Sequence, residues 1–134
     1  MSMSLDEALA RLSEKAVTLN STVESANEII GKANRALSSM NLGIESWIAG
    51  IVVSTAADGP QRVHLGFAKV DGAWQLAVRW ELGVQVSNPQ PLEKQSREIR
   101  LQAAAYVHDL VEILSRRVDE MLAVPPGLRQ QAKP

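Results

Sequence analysis

The stretch Val63-His64-Leu65-Gly66-Phe67-Ala68-Lys69-Val70-Asp71-Gly72-Ala73-Trp74-Gln75-Leu76-Ala77-Val78-Arg79-Trp80 decides the fold. Asp71-Gly72 suits a two-residue type I′ turn, whose central residues both need positive φ. Placing the turn there sets the register: Val70 faces Ala73, Phe67 faces Leu76, Leu65 faces Val78 and Val63 faces Trp80. One face then carries Val63, Leu65, Phe67, Trp74, Leu76, Val78 and Trp80. The other carries Arg62, His64, Gly66, Ala68, Gln75, Ala77, Arg79 and Glu81. Both strands alternate in agreement, as a hairpin with one buried face requires.

Upstream, residues 47–54 predict an earlier strand that reaches the hairpin through a loop containing Asp58-Gly59-Pro60. Its run Trp47-Ile48-Ala49-Gly50-Ile51-Val52-Val53 is apolar on both faces, so both sides are expected to be covered. Downstream, Val84 and Val86 extend the third strand or form a short addition past Gly83.

Residues 4–41 predict a long helix before the sheet. Ser4 and Glu7 form a capping-box signature. Leu5, Leu9, Leu12, Ala16, Leu19, Val23, Ala26, Ile30, Ala33, Leu37 and Met40 recur in alternating steps of three and four, a heptad seam. Asn41 and Gly43 are stop signals. After Asn88-Pro89-Gln90-Pro91, a second long helix is expected over 91–122. Its buried stripe is Leu92, Ile99, Ala103, Val107, Leu110, Leu114, Val118 and Met121, with Glu93–Arg97 and Glu112–Arg116 as favourable pairs. Val124-Pro125-Pro126-Gly127 stops it. The expected fold class is α+β, in the order helix, three-stranded antiparallel meander, helix, with the helices packed on one another and on the sheet. Residues 1–124 form a single domain, and 125–134 a flexible proline-containing tail.

The chain has 134 residues, 46% of them hydrophobic, 14 basic and 15 acidic side chains, and no cysteine. That is enough apolar content for a core and enough length for one domain. The absent thiols exclude disulfides, thiolate metal sites and cysteine nucleophiles. A formal charge of -1 gives no general attraction to nucleic acid or anionic lipid. Seven apolar residues in a row cannot span a bilayer as a helix. Asp6 and Glu7 stand where a signal peptide would be basic. A cytoplasmic domain of bacterial type, with no membrane partner and no cofactor, is the expectation.

Helix 4–41 is about 55 Å long, whereas a strand of ten residues covers about 33 Å. A small sheet cannot cover such a helix, so part of the seam is expected to pack on the second helix and the remainder on another chain. The expectation is a homodimer whose interface includes Leu12, Leu19, Val23, Ile30 and the anchor Trp47. Asn20, Asn27, Asn34 and Asn41 recur every seven residues beside the seam. Asparagine is a mediocre helix former, so Asn20, Asn27 and Asn34 are candidate interface amides. A solvated polar edge is the plainer account of them.

Little points to catalysis. His64, Arg62, Arg79 and Glu81 share a sheet face and form a candidate polar site; cross-strand ion pairs on a solvated face explain them more simply. His108 and Glu112 share a helix face, with Asp109 turned away, and two ligands are fewer than catalytic zinc takes. No glycine pattern has phosphate-loop spacing. Lys94, Arg97 and Arg100 are candidate nucleic-acid contacts, joined by Arg129 and Lys133 of the tail, although interleaved acids dilute them. Trp74 and Trp80 belong to the core face.

The order long helix, three-strand meander, long helix over roughly 5–122, the Asp71-Gly72 turn and the Pro125-Pro126-Gly127 tail resemble, at the level of topology, the YbaB family of nucleoid-associated proteins. That resemblance implies a small dimer with protruding helices that binds DNA. The residues themselves favour a non-catalytic interaction, adaptor or scaffold domain acting as a homo-oligomer, with the DNA-binding dimer as the alternative.

Overall fold

The computed structural model describes residues 4–56 and 59–123. Helix α1 runs from Leu5 to Ser39 without interruption, its first turn closed by the Ser4 hydroxyl accepting from the Glu7 N–H at 3.2 Å. Strands β1 (Ser46–Ala56), β2 (Gly59–Val70) and β3 (Ala73–Leu82) form an antiparallel meander, extended by the two-residue strands β4 (Gln85–Val86) and β5 (Gln90–Pro91) along β3. A 3-10 turn at Leu92–Lys94 leads to α2 (Arg97–Ala104) and α3 (Val107–Leu122). The chain is mixed helix and antiparallel sheet, as its periodicities require. The expected tail lies outside the described residues.

The hairpin register is the expected one, from Val70 opposite Ala73 to Val63 opposite Trp80. Asp71 and Gly72 have φ of 52° and 81°, the pair of positive values that a type I′ turn demands. Val63, Leu65, Phe67, Leu76 and Val78 form one wall of the core, against Ile30 and Leu37 of α1, Leu92, Ala103 of α2 and Leu110 and Leu114 of α3.

Two expectations need correction. The second helix is not continuous over 91–122. The Ser96 hydroxyl caps the Ile99 N–H, so α2 begins at Arg97, and a turn at Ala105–Tyr106 separates α2 from α3. No glycine or proline marks that break. α2 packs on α1 and β1, and α3 on β1, β2 and α1. Of the predicted stripe, Met121 is exposed. Secondly, Gly59 and Pro60 are not loop residues but the first of β2, opposite Ala56 and Thr55. Of the two readings of the segment after the third strand, the short addition past Gly83 is the one observed: Gly83 (φ 60°) turns the chain back, Gln85–Val86 pair with Leu82 and Glu81, and Val84 is fully exposed.

The outer edge of β3 is closed along its length by short-range devices. Ser38 donates to the Trp74 carbonyl and Asn34 accepts from the Leu76 N–H, both at 2.8 Å. β5 pairs with Ala77 and Val78. Ser87 exchanges two 2.8 Å bonds with Trp80, and β4 takes Glu81 and Leu82. An edge strand so covered offers no template for another chain.

Candidate functional site

Helix α1 has two environments along one seam. Val23, Ala26, Ile30 and Leu37 are buried against the sheet, α2 and α3. Towards the N-terminus the same seam emerges into solvent: Leu5 is 72% exposed, Leu9 53%, Leu12 62% and Leu19 47%. From Leu5 to Thr22 every residue except the half-buried Ala16 is exposed. These eighteen positions make an arm about 27 Å long. A lone helix of that length is marginal in water, and its four exposed leucines lie on one stripe. Of the expected interface residues, Leu12 and Leu19 lie on this arm. Val23 and Ile30 are buried in the chain's own core.

The asparagine stripe is engaged inside the chain. Arg97 Nη1 donates to Asn20 Oδ1 at 3.1 Å, and Arg100 Nη1 to Asn27 Oδ1 at 2.6 Å. Asn34 donates to Glu93 Oε1 at 3.0 Å while accepting from the β3 backbone. Asn41 takes φ 54° at the end of α1, a left-handed conformation that asparagine tolerates. The first three are therefore a ladder tying α1 to the segment 93–100, an amide stripe bonded across an interface within the chain. The expected Glu93–Arg97 pair is replaced by separate bonds from each to α1. Of the candidate nucleic-acid contacts, Arg97 and Arg100 are thus held by amides, and Lys94 is exposed beside them.

His64, Arg79 and Glu81 do lie together, but not as a solvated ionic face. Between Ile48 and Val52, β1 makes a bulge in which Ala49, Gly50 and Ile51 oppose the single residue His64. Gly50 adopts φ 66° and donates its N–H to His64 Nδ1 at 2.9 Å. An accepting Nδ1 leaves the ring proton on Nε2, which donates to Glu81 Oε2 at 2.7 Å. His64 is 5% exposed. Its imidazole stands in for a missing ladder partner and holds the bulge. Arg62 lies over Gly50, where an added Cβ would meet Arg62 Nη2 at 2.7 Å.

Trp47 lies across Gly66 on the same outer face, with Arg79 stacked 4.1 Å above the ring centroid and Glu45 accepting from the indole N–H at 3.1 Å. It roofs Ala68 and Ala77 in a second small apolar cluster. Trp47 is half-buried between Gly66 and Arg79, an intramolecular lid. Gly50 and Gly66 were the readable signals here: a glycine inside a strand marks a bulge or a close approach.

On α3, His108, Asp109 and Glu112 bring one ligand atom each within 4.8 Å of one another, so Asp109 is not turned away as its position suggested. All three are exposed, and His108 sits 3.7 Å from Glu112. They occupy the first turns of α3, whose dipole is positive at that end and disfavours a cation. Among the described residues no helix is long and apolar enough to cross a membrane.

No family model, no curated protein and no solved structure matches the chain.

Proposed function

We propose that this chain is a non-catalytic interaction domain, an adaptor or scaffold that associates with a second copy of itself through the free half of α1. The observation that carries this reading is the division of one uninterrupted seam. Its second half makes the core, and its first half presents Leu5, Leu9, Leu12 and Leu19 to solvent. The arm also suits a like partner. Its flanks carry Ser13, Asn20, Ala8 and Thr22, with charge only at Asp6 and Lys15, whereas an arm selecting a different chain would display a one-signed row for a partner to complement. The bonds from Arg97 and Arg100 to Asn20 and Asn27 engage two of the five cations that a DNA-binding dimer would use, and favour the interaction reading.

The test is light scattering on a size-exclusion column with the native chain and Leu12→Asp. The native chain is expected at dimeric mass and the variant at monomeric mass, with the far-ultraviolet spectrum of the body retained because Leu12 makes no core contact. A native chain that stays monomeric across a hundredfold concentration range overturns the proposal.

A further inference from the structure

We infer that the two arms pair antiparallel, so that the N-terminal turn of each α1 closes against the α2 face of the other copy. The inference rests on the self-association proposed above and specifies its geometry. α1 is one continuous helix, and beyond Val23 its seam residues Ala26, Ile30 and Leu37 are buried by the chain's own body. A parallel partner lying on Leu5–Leu19 and running on as an equally straight helix would enter the space that this body fills. An antiparallel partner's helix runs the other way, back along the exposed arm. Its helix begins at Leu5, capped by Ser4, and so ends where the exposed seam ends.

The arm's own spacing supplies the register. In an antiparallel pair the two alternating seam positions face each other, and large meets small where the layers fit. Leu9 then lies opposite Leu19 of the second copy, Leu12 opposite Ala16, and Leu5 opposite Val23. That last contact falls on a feature already present in the single chain. Leu19, Val23 and Leu101 line an apolar depression of about 270 Å³, flanked by Arg97 and Glu98. Leu5 of the second copy fills it. Asp6, the next residue, comes opposite Asn20, whose amide oxygen already holds the Arg97 guanidinium at 3.1 Å. Asp6, in the first turn of α1, thus meets Arg97 at the start of α2, and Glu98 meets the positive pole of the incoming helix. The Lys15 side chains of the two copies flank the axis at the solvated rim, where their charges are screened.

The chain has no cysteine, so single-cysteine variants label cleanly. Glu14 and Ser21 are both exposed on the arm, away from the seam, and tolerate replacement. Nitroxide labels on Glu14→Cys and, separately, on Ser21→Cys give intermolecular distances by electron spin resonance. In the antiparallel pair, centred near residue 14, the Glu14 distance is set by the width of the helix pair alone. The Ser21 distance gains a separation of about 21 Å along the axis. A parallel pair gives equal distances at both sites. A dimeric mass with equal distances overturns the orientation and leaves self-association standing. A dimeric mass with no Glu14 distance in range overturns the arm as the interface, and a monomeric mass overturns both proposals.

Discussion

Replacing Asn34 by alanine removes the acceptor of the Leu76 N–H and the donor to Glu93 in one step. The Leu76 N–H lies on the outer edge of β3 under α1, part-buried, so no water readily replaces the lost oxygen. Stranding a buried backbone donor costs about 1–3 kcal/mol. Alanine returns about 0.5 kcal/mol through its better helix propensity. The net expectation is a loss of about 1–2 kcal/mol, or a fall in Tm of about 4 °C per kcal/mol for a chain of this size. Asn20 is the control, since it shares the helix, the residue type and the heptad position. Its partner among the described residues, Arg97, is exposed, so Asn20→Ala should change stability by less than about 0.5 kcal/mol. Denaturant unfolding at fixed protein concentration reads both, followed by the fluorescence of Trp74 and Trp80 in the core. Asn34→Asp sharpens the result: it keeps the acceptor but sets a carboxylate beside Glu93, and should fall at or below the alanine variant. Equal small losses for Asn20→Ala and Asn34→Ala would refute the claim that the stripe closes the β3 edge.

Other expectations follow from the same geometry. His64→Ala leaves the Gly50 N–H and the Glu81 carboxylate without their partner inside a tight bulge and should cost about 2–3 kcal/mol; an unchanged unfolding midpoint would show that the bulge holds without the imidazole. Gly66→Ala puts a methyl group into the Trp47 ring and within 2.6 Å of the Ser46 carbonyl oxygen, which is backbone and cannot yield. It should lose about 2 kcal/mol or more and perturb indole fluorescence, and wild-type stability would contradict the packing of that face. Ile30→Asp, at a position 2% exposed, should abolish the folded baseline in circular dichroism, whereas Leu12→Asp should not; equal effects would mean that the arm is not free of the core. Finally, the native chain should not be retained on duplex DNA at low salt. Retention that falls steeply with salt, and weakens with Lys94→Ala, Arg97→Ala and Arg100→Ala together, would restore the nucleic-acid reading.

The features legible in the sequence are those set by neighbours along the chain. The heptad spacing from Leu5 to Met40 dictates a helix because only a 3.6-residue period puts those side chains on one stripe. Asp71-Gly72 dictates the turn and hence every cross-strand pair from Val70–Ala73 to Val63–Trp80, since a period of two leaves no freedom once the turn is placed. The mismatch in length between α1 and the strands also shows that some of the seam must lie beyond the sheet. Tertiary structure decided which part. Spacing makes Leu12 and Ile30 equivalent, yet one is solvent-exposed and the other is core, because the sheet and the segment 92–114 reach only the second half of α1. It also decided the partners of the asparagines, which depend on where Glu93, Arg97 and Arg100 arrive across some sixty to eighty residues of chain. The break at Ala105–Tyr106 has no local marker either: α2 packs on α1 and β1, and α3, redirected by the turn, packs on β1, β2 and α1. Local propensity sets which elements form; the free energy of burying them against each other sets where each one ends and what it touches.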